Sequence, residues 1–429
     1  MNNTFKEIST KELLNQTNHP ETKIIDVRPV DAYNGWQIKN EKRGGHIKGA
    51  KSLPAKWANY LEWIEIVRSK GILPIHKLIV YGNDLENVEQ AANLFERAEY
   101  KDISIYLHFI DEWSANDDLP MEQLKRYHQL VSSDWLNSLI SGEKPSHFYG
   151  KNYVICHAHY RNRADYDKGH IPSAVDLDTL WLESSETWNR HTPEIIMETL
   201  LKLGIKNDTT VILYGRFSFP KKEDPFPGSS AGHLGAMRCG AIMMYAGVKD
   251  VKILNGGLQS WEDEGYTTVT VETKPIPADD FGLDIPAHPE IMIDTPEAKE
   301  ILKSPTSDLV CVRSWSEYIG EVSGYNYIKK KGRIPGAIFG NCGSDAYHME
   351  NYRNLDHTTR EYHEIKELLK EVNITPDKHL AFYCGTGWRG SEAFFNAWLM
   401  GWPKVAVYDG GWFEWSNDPN NPIETEVPM

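Results

Sequence analysis

Ala381-Phe382-Tyr383-Cys384-Gly385-Thr386-Gly387-Trp388-Arg389-Gly390 is an apolar run that breaks into glycines. A helical pattern follows: from Glu392 to Met400, Phe394, Phe395, Trp398 and Leu399 recur on one face, and Gly401 ends the segment. A strand, a tight turn and a helix are therefore predicted here. The same arrangement occurs twice more. Leu78-Ile79-Val80-Tyr81-Gly82 and Val211-Ile212-Leu213-Tyr214-Gly215 are apolar runs of the same length closed by glycine. Aligned on that glycine, Tyr81 and Tyr214 take the place of Cys384.

Further markers recur around each copy in the same order. Upstream, Ile24-Ile25-Asp26-Val27-Arg28 matches Leu309-Val310-Cys311-Val312-Arg313, with a weaker copy at Val154-Ile155-Cys156-His157-Ala158. Next come Gly45-His46-Ile47-Lys48-Gly49-Ala50, Gly169-His170-Ile171-Pro172-Ser173-Ala174 and Gly332-Arg333-Ile334-Pro335-Gly336-Ala337. Downstream, a β-like run leads to Trp113, Trp261 or Trp415, the last two after Gly256-Gly257 and Gly410-Gly411. Four markers repeated three times define a tandem array. Short, continuously apolar strands alternating with helices predict an α/β fold, in which each copy is a small parallel sheet with helices on both faces. The expected domains are residues 1–125, 126–278 and 284–429. Ser114 to Pro120 and Val271 to Pro289 read as linkers, and residues 219–230, with Pro220, Pro225 and Pro227, as a loop insertion.

The formal charge is −15 over 429 residues, with no long Lys/Arg block. Nucleic acid and anionic membrane are therefore not expected partners. No run of 18 apolar residues predicts a membrane helix, and residues 1–10 have no apolar leader core. The expected location is cytoplasmic, or periplasmic for a chain whose leader has been removed. The five cysteines, Cys156, Cys239, Cys311, Cys342 and Cys384, are scattered and form no C-x-x-C pair. This disfavours a disulfide framework or a thiolate zinc cage.

Cys384 is the exception that calls for chemistry. Gly385 and Gly387 permit a loop whose N–H groups turn inward around an anion. The start of the helix adds unpaired N–H groups, and Arg389 adds a full positive charge. Together they favour an anionic, nucleophilic sulfur beside a bound anion. Asn83-Asp84 in the first copy offers no such nest.

These residues resemble the rhodanese/3-mercaptopyruvate sulfurtransferase family, in a three-domain form with only the C-terminal domain active. In that family the Cys heads a six-residue loop, here Cys384 to Arg389, and holds a sulfane sulfur as a persulfide. The resemblance implies Cys384 as the nucleophile. It implies Gly385, Thr386, Gly387, Trp388 and Arg389 as the anion-binding loop, with Arg313 beside it. Glu317-Tyr318-Ile319-Gly320-Glu321 also fits the pattern, whereas Cys311 and Arg333 replace a usual Asp and His. The implied activity moves sulfur from thiosulfate or 3-mercaptopyruvate to a thiol or protein acceptor, without cofactor or metal. Cys-Gly-Thr-Gly resembles the mercaptopyruvate loop. By analogy with two-domain relatives, His170 or Asp167 of the second copy would approach Cys384.

Other readings compete. A phosphatase or arsenate reductase needs Cys, five residues, then Arg, whereas only four residues separate Cys384 from Arg389. Gly385-x-Gly387-x-x-Gly390 with Asp409 imitates a dinucleotide fingerprint, but Trp388 and Arg389 would crowd a pyrophosphate. A metal at Cys156, His157, His159 and His170 would require side chains from opposite strand faces. A non-catalytic, regulatory scaffold is the alternative of another class.

Overall fold

The computed structural model describes residues 5–217 and 231–428. The expected loop insertion at 219–230 lies outside the described residues, as do residues 1–4 of the N-terminal segment. The chain forms two compact units, residues 1–128 and 129–429.

The first unit holds one parallel sheet of β1 (Lys6–Glu7), β2 (Thr22–Asp26), β3 (Lys51–Ser52), β4 (Lys77–Tyr81) and β5 (Ile103–Tyr106), in the spatial order β1-β5-β4-β2-β3. Side chains alternate across it with the strand period of two. Ile25, Leu78 and Val80 enter one core cluster, and Ile24, Ile79 and Tyr81 enter the other. Helix α1 (Leu85–Arg97) covers the first face with Val88, Ala91, Ala92 and Phe95, which recur at helical spacing. The expected linker Ser114 to Pro120 is tied down. Arg43 donates to the carbonyls of Trp113, Ser114 and Leu119, and Met121–Glu122 pairs antiparallel with His46–Ile47.

The second unit holds two sheets of the same design. One comprises β6 (Leu130–Val131), β7 (Tyr153–His159), β8 (Ala174–Asp178), β9 (Thr210–Gly215) and β10 (Asp250–Leu254), in the order β8-β7-β9-β10-β6. The other comprises β11 (Met292–Ile293), β12 (Ser307–Cys311), β13 (Ile338–Phe339), β14 (His379–Tyr383) and β15 (Val405–Tyr408), in the order β11-β15-β14-β12-β13. The Pro-rich stretch between them follows the middle domain. Phe281 is buried, its carbonyl accepts from Asn207, and His288 N–H donates to the Tyr245 carbonyl. Helix α2 (Gly232–Ala246) is buried along its whole length. Its residues are apolar all round apart from His233 and Arg238, as a helix covered on every side requires. It packs on its own sheet and on α3 (Trp388–Leu399), the helix that follows β14.

Strand register corrects the alignment on glycine. Tyr81 lies opposite Asp26, Tyr214 opposite His157, and Tyr383 opposite Cys311. The tyrosines also share one role: Tyr81 Oη accepts from Ile47 N–H at 3.1 Å and Tyr214 Oη from Ile171 N–H at 2.9 Å, while Tyr383 faces the Ile334 backbone. The equivalents of Cys384 are thus Gly82 and Gly215, not Tyr81 and Tyr214. The turn after β14 carries one more residue before its helix than the first domain's turn, and this extra residue slides the glycines out of register. The middle domain has closed the space as well. A Cβ on Gly215 would lie 2.2 Å from the carbonyl carbon and oxygen of Gly232 and 2.6 Å from the amide nitrogen of His233. Gly215→Ala is expected to destabilise the second unit by about 1–3 kcal/mol, through forced backbone displacement. Urea denaturation checks this, and an unchanged midpoint would contradict the packing described.

Candidate active site

Cys384 leaves the end of β14 fully buried. The two residues that follow the strand have their carbonyls drawn backwards: Trp412 N–H donates to the Cys384 carbonyl at 2.8 Å, and Phe413 N–H to that of Gly385 at 2.9 Å. Gly387 turns the chain into α3 with φ +88°, a left-handed conformation that favours glycine. The first ladder bond of α3 runs from Ser391 N–H to the Gly387 carbonyl. The N–H groups of Trp388, Arg389 and Gly390 therefore precede the ladder, at the positive end of the helix. The sequence places glycine, glycine and a helix start where this turn needs them.

Arg389 does not project into the opening. It is buried, with Nη1 and Nη2 bonded to the two carboxylate oxygens of Glu317 at 3.0 and 2.9 Å. Nη1 also donates to the Asp345 carbonyl and Nη2 to Tyr325 Oη, each at 2.8 Å. The expectation of a free cation for a donor anion gives way to a buried pair, because an unpaired charge at this depth would cost several kcal/mol. Arg313 is buried too. It donates through Nη2 to the Gly332 carbonyl at 2.6 Å, approaches Cys311 Sγ at 3.3 Å, and stands over the Trp412 ring at 4.7 Å. Its first-domain counterpart, Arg28, is paired with Asp26 and Glu41. With Cys311 in place of an aspartate, Arg313 lacks that compensation, and its Nη1 has no hydrogen-bond partner among the described residues. Arg313, Arg389 and Glu317 are thus buried in one neighbourhood, where two arginines face one carboxylate. Glu317 is held below the usual carboxylate range: burial opposes this, but the two arginines and the Ser314 N–H outweigh it.

Aromatic rings pack around the loop. Tyr325 lies against Gly385, where a Cβ would meet its ring at 2.2 Å. Tyr325 packs on Tyr327 and Tyr347 at centroid distances of 5.2 and 6.0 Å. Burial pushes the phenols of Tyr325 and Tyr327 up. The middle domain adds Trp188, stacked on Tyr327 at 5.0 Å, and Tyr160, edge-on to Trp388 at 5.7 Å. Trp188 adopts φ +63°, a strained conformation for a bulky residue that occurs mainly where function demands it.

His170 and Asp167 are elsewhere. His170 is fixed in its turn, stacked on Tyr166 at 3.7 Å and bonded to the carbonyls of Tyr166 and Val271. Asp167 is exposed and pairs with Arg163 at 3.2 Å. Among the candidate metal ligands, His159 bonds Asp176 at 2.8 Å, and His157 packs on Tyr214. Asp409 is buried and ion-paired with Arg190 and Arg238, not open to a ribose. Reading the sequence missed Glu317 as a partner, Tyr325, Tyr327 and the middle domain's Tyr160 and Trp188. Only Arg238, a lone cation in an apolar helix, carried a visible signal.

A buried cysteine between the end of a parallel strand and the start of a helix, in the third of three like domains, is the arrangement the resemblance to sulfurtransferases led one to expect. The Rhodanese-like domain model matches residues 9–116, 159–264 and 294–418, and the chain belongs to the rhodanese family. Thiosulfate sulfurtransferase YnjE of Escherichia coli K12 is 38% identical over 98% of this chain and 92% of its own length. The sulfur carrier protein TtuD of Thermus thermophilus is 28% identical over 68% of this chain and 95% of its own. Among solved structures, a tyrosine-to-alanine variant of EanB complexed with ergothioneine is 58% identical, with a TM-score of 0.98 over 99% of this chain and all of that one. EanB with a cysteine persulfide, in a tetrahedral intermediate state with ergothioneine, is 59% identical with a TM-score of 0.97. The protein is an enzyme of the sulfurtransferase class. Among the described residues no helix is long and apolar enough to cross a membrane.

Arg389→Gln leaves Glu317 buried without its main partner and is expected to cost roughly 3–5 kcal/mol. Changing Glu317 and Arg389 both to Gln is expected to cost less than Arg389→Gln alone. Denaturation of the three variants checks this; a double variant no more stable than the Arg389 variant would contradict it. Because Glu317 is lowered by its partners, the stability it contributes is present above its unfolded pKa and is lost as pH falls through the folded one. The difference between wild type and the double variant should therefore shrink in acid.

Proposed function

We propose that the protein carries sulfane sulfur on Cys384 and delivers it to C2 of the imidazole of hercynine, forming ergothioneine. The observation that carries this reading is the pairing of two buried arginines facing one carboxylate with aromatic rings packed around the Cys384 loop. The excess positive charge suits a persulfide anion. The rings suit an acceptor bearing a quaternary ammonium, which an aromatic face attracts and no hydrogen-bond acceptor can hold. EanB, similar over nearly the whole chain, has been seen with hercynine and with ergothioneine. The tyrosine, the threonine and the three cysteines altered in those EanB structures fall at the same sequence spacings as Tyr325, Thr386, Cys311, Cys342 and Cys384.

The reaction divides in two. In the first half, the Cys384 thiolate attacks the sulfane sulfur of a small anionic donor. With thiosulfate the S–S bond breaks and sulfite leaves with the electron pair; with 3-mercaptopyruvate the C–S bond breaks and pyruvate leaves as its enolate. Thiosulfate is favoured as donor by the name of the Escherichia coli relative; 3-mercaptopyruvate fits the Cys-Gly-Thr-Gly loop. In the second half, the outer sulfur of the persulfide adds to C2 of the protonated imidazole, giving a tetrahedral carbon. Loss of the C2 proton forms the C=S bond, and the persulfide S–S bond breaks toward Cys384, which leaves as thiolate. Carbon is oxidised and the sulfane sulfur reduced, with no external redox partner. Tyr325, Tyr327 and Thr386 supply hydroxyls around the acceptor ring. A thiol or a protein acceptor would discharge the same persulfide.

Purified protein with hercynine and thiosulfate or polysulfide is expected to accumulate ergothioneine, read by mass spectrometry, and Cys384→Ser to abolish it while the fold persists. Discharge to thiols only, with no ergothioneine, would overturn the acceptor assignment. Trp188→Asn keeps a residue that tolerates the left-handed backbone but removes the ring. It is expected to raise the half-saturating hercynine concentration roughly tenfold. An unchanged value would place the ammonium elsewhere.

A further inference from the structure

Arg238 and Glu183 belong to the middle domain, which has Gly215 where the third domain has Cys384, yet both reach the Cys384 loop. Glu183 is fully buried and accepts from Arg238 Nε at 2.9 Å. Its two oxygens also accept the Trp388 indole N–H at 2.9 and 3.1 Å. Trp388 is the first residue of α3 and closes the nest. Arg238 extends from there in three directions. Nη2 meets Asp409 at 2.6 Å and the Trp188 carbonyl at 3.0 Å. Nη1 has no hydrogen-bond partner among the described residues and presses against Gly387, where a Cβ would sit 2.7 Å away. Asp409, also held by Arg190, immediately precedes the Gly410-Gly411 turn that presents the Trp412 and Phe413 N–H groups to the loop carbonyls.

We infer that Glu183 and Arg238 are positioning residues for Cys384: the middle domain sets the shape of the nest by fixing Trp388 at its front, Asp409 at its back and Gly387 between. The inference rests on the sulfurtransferase reading but not on the acceptor. Neither residue touches the reacting sulfur, so each acts through the loop. Fixing the nest matters because the loop N–H groups must already point at the sulfur when charge moves onto the departing donor. Glu183 receives Arg238 Nε–H and Trp388 Nε1–H. A glutamine at 183 has one acceptor oxygen and turns an NH2 group toward donors that now share two oxygens, which weakens the link to Trp388 or to Arg238.

The test is the first half-reaction alone, with inorganic polysulfide or thiosulfate as donor and persulfide at Cys384 followed by rapid quench and mass spectrometry. Trp388→Phe and Glu183→Gln are each expected to slow the maximal loading rate roughly tenfold, the loss of one buried hydrogen bond, with the half-saturating donor concentration little changed. The double variant is expected to be no slower than the more impaired single, because both changes break one link. A folded Trp388→Phe protein that loads at the wild-type rate would overturn the inference. So would a double variant whose losses multiply, or an effect confined to donor affinity. If Glu183→Gln does not fold, Trp388→Phe decides by itself, since it leaves every buried charge paired.

Discussion

A helix that starts at the C-terminal edge of a parallel sheet brings unpaired N–H groups to the interior, and the candidate site depends on what the chain sets against them. The middle domain fills the place with backbone, pressing Gly232 and His233 onto Gly215. The third domain turns Gly387 left-handed and starts its helix directly after a short turn, with the N–H groups of Trp388, Arg389 and Gly390 ahead of the helical ladder. The carbonyls of Cys384 and Gly385 are held by the Trp412 and Phe413 N–H groups. One strand-to-helix junction, built differently, distinguishes the third domain from the middle one.

Electrostatics then decides what the sulfur can meet. The chain carries a formal charge of −15, so an anionic intermediate needs local help. Two buried arginines, Arg313 and Arg389, face one carboxylate, Glu317, because Cys311 stands where the first domain has Asp26. Aromatic rings pack around the loop. This combination suits a negative sulfur and a positive acceptor. The middle domain contributes Trp188 and Tyr160 among the rings and Glu183 and Arg238 at the loop.

Much of this was legible in the amino-acid order. The repeats of strand, turn and tryptophan revealed three like domains, and the run from Cys384 to Gly390 revealed the nest, because both are local patterns. The match of Tyr81 and Tyr214 to Cys384 failed by one residue, since a glycine can be shared by two turns of different length. Arg389 looked like a ligand for a donor anion because its partner, Glu317, stands 72 positions away. His170 was expected near Cys384 by analogy with two-domain relatives, but stacking on Tyr166 fixes it in its own turn. Trp188 and Glu183 gave no local signal: they matter only because α2 and α3 bring two domains together.

The most direct measurement is a single turnover. The protein is first loaded with isotopically labelled sulfane sulfur, freed of donor, and mixed with hercynine. Intact-protein and small-molecule mass spectra are then followed together. The account predicts that label leaves Cys384 and appears in ergothioneine at the same rate and in equal amount. A persulfide that survives hercynine and yields its label only to an added thiol would contradict it.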